Sequence, residues 1–216
     1  MKTTFQAGTA APVLRRLART ANGSYSGVLI ETGDAGVSLT ATTGAIEVRA
    51  GLEASVADPG RVVLAAKLLA DLAGACDPKA GITIKVANGD VTLTTGRTKV
   101  GLRDIGTELF PHIADPEVRA KADYEASEVL GAAARVVAMT TDDPLQPALG
   151  SVYVTADGAS LRLVATDAFA LGVSDLPGVD PLGSGALVPA EAIATVSRWM
   201  SPPEGRIEVS LGARSV

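Results

Sequence analysis

The sequence predicts an α+β protein made of two copies of one unit, each with two helices packed on antiparallel β-sheets. Three observations predict it. Short segments alternate apolar and polar residues with the period of two that half-buried strands require, as in Val152-Tyr153-Val154 and Leu161-Arg162-Leu163. Four other stretches carry apolar residues at helical spacing, the first through Leu14, Leu17, Ala18 and Ala21. Finally, a shift of 124 residues overlays the two halves. It puts Val28-Leu29-Ile30 on Val152-Tyr153-Val154, Leu39–Thr42 on Leu163–Thr166, and Leu69, Leu72 and Cys76 on Ile193, Val196 and Met200. With one more residue, Ile82-Thr83-Ile84 meets Ile207-Glu208-Val209. Agreement over about 60 residues marks a repeated unit, one too long for a solenoid.

Taken in order, residues 5–22 open extended and turn helical. Pro12 suits a first helical turn, Arg15, Arg16 and Arg19 gather opposite the apolar face, and Asn22-Gly23 closes the helix. Strands come next: VLIET, VSLTAT and IEVRAGLEASV, then Val62-Val63-Leu64 after the turn Asp58-Pro59-Gly60. The second helix buries Leu68, Leu69, Leu72 and Cys76 and stops at Asp77-Pro78. ITIKV and DVTLTT pair about Asn88-Gly89, TKVGL adds a strand, and Glu108–Pro111 leads out.

Residues 1–112 are therefore the first domain, 113–121 a short polar linker and 122–216 the second. In the second copy Ser127 caps a helix with Leu130, Ala133, Ala134 and Val137 on its apolar side. A hairpin turns at Asp157-Gly158, and Leu187-Val188-Pro189 starts a helix that buries Ile193, Val196 and Met200. The first copy continues past its last matched strand through DVTLTTGRTKVGLRDIGTELFP. The second is expected to lack at least that hairpin, as in a fragment of a longer chain.

Composition narrows the function. Hydrophobic residues are 47% of the 216 and charged residues 20%, the balance of a packed globular chain. No apolar run approaches the ~18 residues of a membrane span. The N-terminal MKTTFQAGTA lacks a signal-peptide core, so a soluble cytoplasmic protein is expected. One cysteine, Cys76, excludes an internal disulfide and reads as a small core residue.

No enzyme is expected. His112 is the sole histidine and falls at the linker, while Asp142-Asp143 precedes Pro144 and reads as a turn. TTGRTK lacks the ending of a phosphate-binding loop, and no residues are spaced for a metal, so no cofactor is expected.

LRLVATDAFAL (161–171), ALVPAEAI (186–193), TLTTGRTKVGLRDI (92–105) with ELFP (108–111), and TDDPLQPALGSV (141–152) carry a family resemblance. The chain resembles the bacterial DNA polymerase III β sliding clamp, in a phage-encoded or actinobacterial version. The resemblance implies repeated sliding-clamp (DNA clamp) domains, three per subunit, closing head to tail as a homodimeric ring for DNA replication. It also implies that this chain supplies the first domain and most of the second, the third being absent. Two such domains per chain would close the ring as a trimer.

In such a ring helices line the hole. Arg15, Arg16, Arg19, Lys67, Arg135 and Arg198 would face double-stranded DNA, against Asp71, Glu128 and Glu191. The whole chain is −5, so strands and loops carry the acidic excess, a separation that admits DNA inside and repels it outside. The contacts would be non-specific and salt-sensitive. The resemblance further implies a pocket for short linear motifs of polymerase, clamp loader and repair proteins, with Leu149, Thr166, Ala168, Phe169 and Leu171 at matching positions. Ala170 stands where the family usually has Arg. As the alternative to that pocket, Phe169 and Leu171 are core or domain-interface residues. As the alternative to a clamp, the chain is an interaction module that does not encircle DNA.

Overall fold

The computed structural model describes residues 1–21, 25–33, 36–44, 46–87, 89–113, 118–157, 160–178 and 185–212. The expected helix stop at Asn22-Gly23 and the turn residue Gly158 lie outside them. The chain divides into two compact units, Met1–Ile113 and Ala114–Val216.

Unit one runs β1 (Lys2–Gln6), α1 (Ala7–Thr20), β2 (Gly27–Gly33), β3 (Gly36–Thr42), β4 (Glu47–Leu52), β5 (Ser55–Asp58), β6 (Gly60–Ala65), α2 (Ala66–Gly74), β7 (Gly81–Ala87), β8 (Asp90–Thr95) and β9 (Thr98–Leu102). A 3-10 turn at Thr107–Leu109 comes after them. The strands make two antiparallel sheets, ordered β5-β1-β7-β8-β9 and β4-β3-β2-β6. The stretch that reads as one strand, IEVRAGLEASV, is two. β4 ends at Leu52 on the edge of β3, and β5 starts at Ser55 against β1 in the other sheet.

Unit two repeats the plan with β10 (Val118–Glu125), α3 (Ala126–Val137), β11 (Ser151–Asp157), β12 (Ser160–Thr166), β13 (Leu171–Pro177), β14 (Ala186–Pro189), α4 (Ala190–Trp199) and β15 (Arg206–Gly212). Its sheets are β10-β15 and β13-β12-β11-β14. The registers agree between copies. Leu29 opposes Val63 and Thr40, as Tyr153 opposes Leu187 and Val164. Phe5 opposes Ile82, as Tyr124 opposes Ile207.

Among the described residues, the four helices each begin directly where a strand ends, and none has a side-chain cap. A helix start leaves backbone N–H groups without partners. Here a neighbouring loop carbonyl takes the first of them: Ala7 donates to Ala80, Ala66 to Ser26, Ala126 to Gly205 and Ala190 to Gly150. This corrects the expected cap. Ser127 sits inside the first turn of α3, because the helix starts at Ala126. It also corrects Pro12, which is the sixth residue of α1, past the first turn and exposed on the outer side of the helix.

The buried stripes result from these starts. On α2 the stripe is Ala66, Leu69, Ala70 and Ala73, while Leu68 is 47% exposed and Cys76, past the helix end, is half-buried. On α3 it is Val129, Ala132, Ala133 and Val136, one position off the predicted set, and Ala134 is exposed. Leu187–Pro189 belong to a strand rather than to the start of α4. On α4 only Thr195 is buried; Ile193 and Met200 are half-buried and Val196 is 44% exposed. The expected linker also shortens, since Val118–Lys121 already pair with β15, while residues 114–117 are outside the described set.

The core of unit one is closed. Leu14, Leu17, Ile82 and Ile84 are fully buried and Leu69 and Leu93 nearly so, each contributing about 1.5–3 kcal/mol by burial. Unit two has its own cluster, in which Val129, Ala133 and Val136 of α3 meet Val152, Leu161 and Leu163. An apolar cavity of about 320 Å³ stays open beside it, lined by Leu130, Val188, Ile193, Val196, Ile207 and Val209 among others. Among the described residues, no helix is long and apolar enough to cross a membrane.

Candidate functional site

The six predicted basic residues all lie on the helices. Burying Leu14 and Leu17 turns Arg15, Arg16 and Arg19 of α1 outward, and all three are exposed. α1 packs on α2, and the Arg15 guanidinium lies over Gly74. Among the described residues, no carboxylate is within salt-bridge distance of these three arginines. Lys67 differs: its Nζ lies 3.0 Å from Asp71 Oδ2, one helical turn away. In unit two, Arg135 donates to Ser174 Oγ at 3.2 Å and Arg198 to Thr195 Oγ1 at 3.0 Å, bonds that leave both charges unneutralised. Glu128 and Glu191 are exposed in the first turns of α3 and α4.

The second set gathers at the turn between β12 and β13. Thr166 Oγ1 donates to the Ala170 carbonyl at 2.6 Å and accepts the Ala168 N–H at 3.1 Å. Asp167 Oδ1 accepts the N–H groups of Ala170, at 2.7 Å, and Phe169, at 2.9 Å. These bonds hold the carboxyl below its ordinary value of 3.8, the Ala170 bond contributing most. They also fold the chain so tightly that Ala168 has φ +75°, a left-handed conformation that costs a residue with a Cβ about 1–2 kcal/mol.

The turn thereby displays its apolar side chains to solvent. Phe169 is 99% exposed and Leu171 66%, so neither is a core residue of this chain. Leu149 is half-buried on a different loop, tied down by its N–H to Gln146 and its carbonyl to Thr141. The structure thus joins Thr166, Ala168, Phe169 and Leu171 through one turn, with Leu149 held separately. Sequence reasoning missed Asp167 as the turn's organiser. The signal was an Asp two and three residues before the N–H groups it accepts.

Of the residues considered for catalysis, Asp143 and His112 are engaged locally. Asp143 accepts the Leu145 N–H, as a turn residue does. His112 stacks edge-on to Phe110 and lies 3.9 Å from Glu47, a salt bridge only when protonated.

Two helices set on antiparallel sheets, repeated in tandem with matching registers, define the sliding-clamp fold. Solved clamps share it: one from Pseudomonas aeruginosa superposes with a TM-score of 0.88 at 23% identity, covering 98% of this chain and 60% of that one. Another, from Bacillus subtilis, gives 0.87 at 16% identity, covering 98% and 60%. Residues 9–114 match the family described as DNA polymerase III beta subunit, N-terminal domain. The beta sliding clamp of Micrococcus luteus is 27% identical over 192 residues, spanning 87% of this chain and 60% of the relative. That of Streptomyces coelicolor is 25% identical over 181 residues, spanning 82% and 47%. Residues 9–114 belong to this family of N-terminal domains, and the chain as a whole is a relative of the bacterial beta sliding clamps. It spans 60% or less of the length of these two relatives.

Proposed function

We propose that this chain is part of a sliding clamp, a non-catalytic processivity factor that encircles duplex DNA and tethers replication enzymes in the cytoplasm. The observation that carries the reading is the outward placement of basic residues on all four helices of a repeated clamp fold, in a chain of net charge −5. Arg15, Arg16, Arg19, Lys67, Arg135 and Arg198 would meet phosphates without reading bases. The ring would close by homo-oligomerisation, as a dimer if each subunit holds three such domains.

The turn at Thr166–Leu171, with Leu149, would receive short linear motifs of the polymerase, clamp loader and repair proteins. Fully exposed Phe169 supports it, since a solvent-facing Phe at a rigid turn is poised to bury its ring against a partner. The same exposure would serve a module that binds replication proteins without encircling DNA. Loading onto nicked circular plasmid separates the two. A clamp stays on the circle and slides off once the plasmid is linearised; retention indifferent to topology would reject it. Leu171→Asp should abolish capture of a QLxLF-like peptide.

A further inference from the structure

We propose that the five-stranded sheet of unit one carries, on the face turned away from the core, a seat for the phosphate backbone of a single-stranded nucleic acid. Ile82, Ile84 and Leu93 are buried behind that sheet, so the residues alternating with them on β7 and β8 face outward. Three lysines meet there. Lys2 of β1 stands directly opposite Lys85 of β7, and Lys99 of β9 opposite Thr94 of β8. They border a shallow cavity of about 510 Å³, with half-buried Thr83, Thr92 and Thr94 between them.

The lysines are not neutralised by the protein. Among the described residues, no carboxylate lies within salt-bridge distance of any of the three. Asp58, across β1 from Lys2, is taken by the N-terminal ammonium of Met1, 2.9 Å from its Oδ2. Asp90, beside the turn between β7 and β8, is the acidic residue of the lining. Like charges directly opposite on neighbouring strands destabilise a sheet. An anion between Lys2 and Lys85 therefore relieves a repulsion built into the fold.

Unit two shows the same face without the seat. Phe5 opposite Ile82 corresponds to Tyr124 opposite Ile207, so Lys2, Thr4, Thr83 and Lys85 correspond to Lys121, Asp123, Glu208 and Ser210. There the lysine is paired, its Nζ 2.9 Å from Glu208 Oε1. In unit one the places of the two carboxylates are held by Thr4 and Thr83, whose hydroxyls bond each other at 2.8 Å. The same four positions thus carry a charge of +2 in unit one and −1 in unit two.

The chemistry of the face selects its occupant. Lysine is a point charge that suits tetrahedral phosphate, whereas planar carboxylates are matched by the arginine fork, which this lining lacks. The threonine hydroxyls add donors for phosphate oxygens. The lining holds no aromatic ring on which a base could stack, so the backbone is bound and the bases face solvent. Strand spacing and rise put Lys85 and Lys99 about 12 Å apart, room for more than one phosphate of an extended strand. A rigid duplex is too wide to enter so small a cavity. This seat depends neither on a closed ring nor on the helix arginines.

The test titrates the whole chain against a short fluorescein-labelled oligothymidylate by anisotropy, with Arg15→Ala, Arg16→Ala and Arg19→Ala present so that α1 does not contribute. Saturable binding is expected, with log K falling against log salt by about 0.7 for each phosphate neutralised. Thr83→Glu with Lys85→Ser, which copies Glu208 and Ser210, should weaken binding about tenfold at low salt, as should Lys2→Gln with Lys99→Gln. Unit two already folds with Glu and Ser at the equivalent places, and circular dichroism checks that each variant is folded. Unlabelled strand should compete better than a duplex of the same length or oligoglutamate. Absence of saturable binding overturns the proposal, as does binding that both lysine variants leave intact. Oligoglutamate competing as well as the strand would also overturn it, by giving the face to an acidic peptide.

Discussion

The Asp167 carboxylate accepts the Ala170 N–H at 2.7 Å and so pins the turn that presents Phe169 and Leu171. Its folded-state pKa is depressed below 3.8 by this bond first and by that from Phe169 second. A depressed carboxyl contributes stability above its unfolded pKa and loses it as pH falls through the folded one. The turn should therefore hold at neutral pH and loosen only in acid below 3.8. The amide resonances of Phe169 and Ala170, tracked by NMR against pH, should shift together in that range. A midpoint at or above the ordinary carboxyl value would show that the two bonds are not formed in solution.

Tyr124 offers a test inside the core. Its hydroxyl is buried with no hydrogen-bond partner among the described residues, and burial raises its pKa. The corresponding residue in unit one is Phe5, which occupies the same register on its sheet. An unpaired buried hydroxyl costs about 1–3 kcal/mol. Tyr124→Phe should thus stabilise the chain, by about 1 kcal/mol in chemical denaturation. A loss of stability would mean that the hydroxyl does find a partner.

How much of this was legible in the sequence depends on what each residue answers to. Strands with one buried face, such as Leu161-Arg162-Leu163, write their period directly into the chain, and the repeat fixed which strands correspond. Helix faces were harder to place. The stripe of α3 sits one position away from its apparent apolar side because its start is set by Gly205 accepting from Ala126, a contact far away in sequence. The α2 stripe differs for a related reason: alanines 66, 70 and 73 fill the interface, and Leu68 reads as core though it faces outward. At the turn, Phe169 and Leu171 were legible as residue types, but their exposure was not. It depends on the left-handed Ala168, a position where sequence statistics favour glycine.

The helix charges make a graded prediction for duplex binding by the assembled protein. Lys67 and Asp71 form a surface pair at 3.0 Å, so their fields largely cancel beyond a Debye length. Arg15, Arg16 and Arg19 have no such partner among the described residues and project their charge unopposed. If these side chains meet phosphates, each contact removed should lower the slope of log K against log salt by about 0.9. Arg16→Ala should show that loss, and the triple variant at Arg15, Arg16 and Arg19 a larger one. Lys67→Ala should change the slope much less, because a lysine paired with Asp71 adds little phosphate contact, and it should weaken binding only through the Asp71 charge that it leaves unpaired and repelling the backbone. Lys67→Ala together with Asp71→Ala should restore binding nearly to that of the parent. Equal losses for Arg16→Ala and Lys67→Ala would show that the pairing on α2 is irrelevant to how the helices meet DNA.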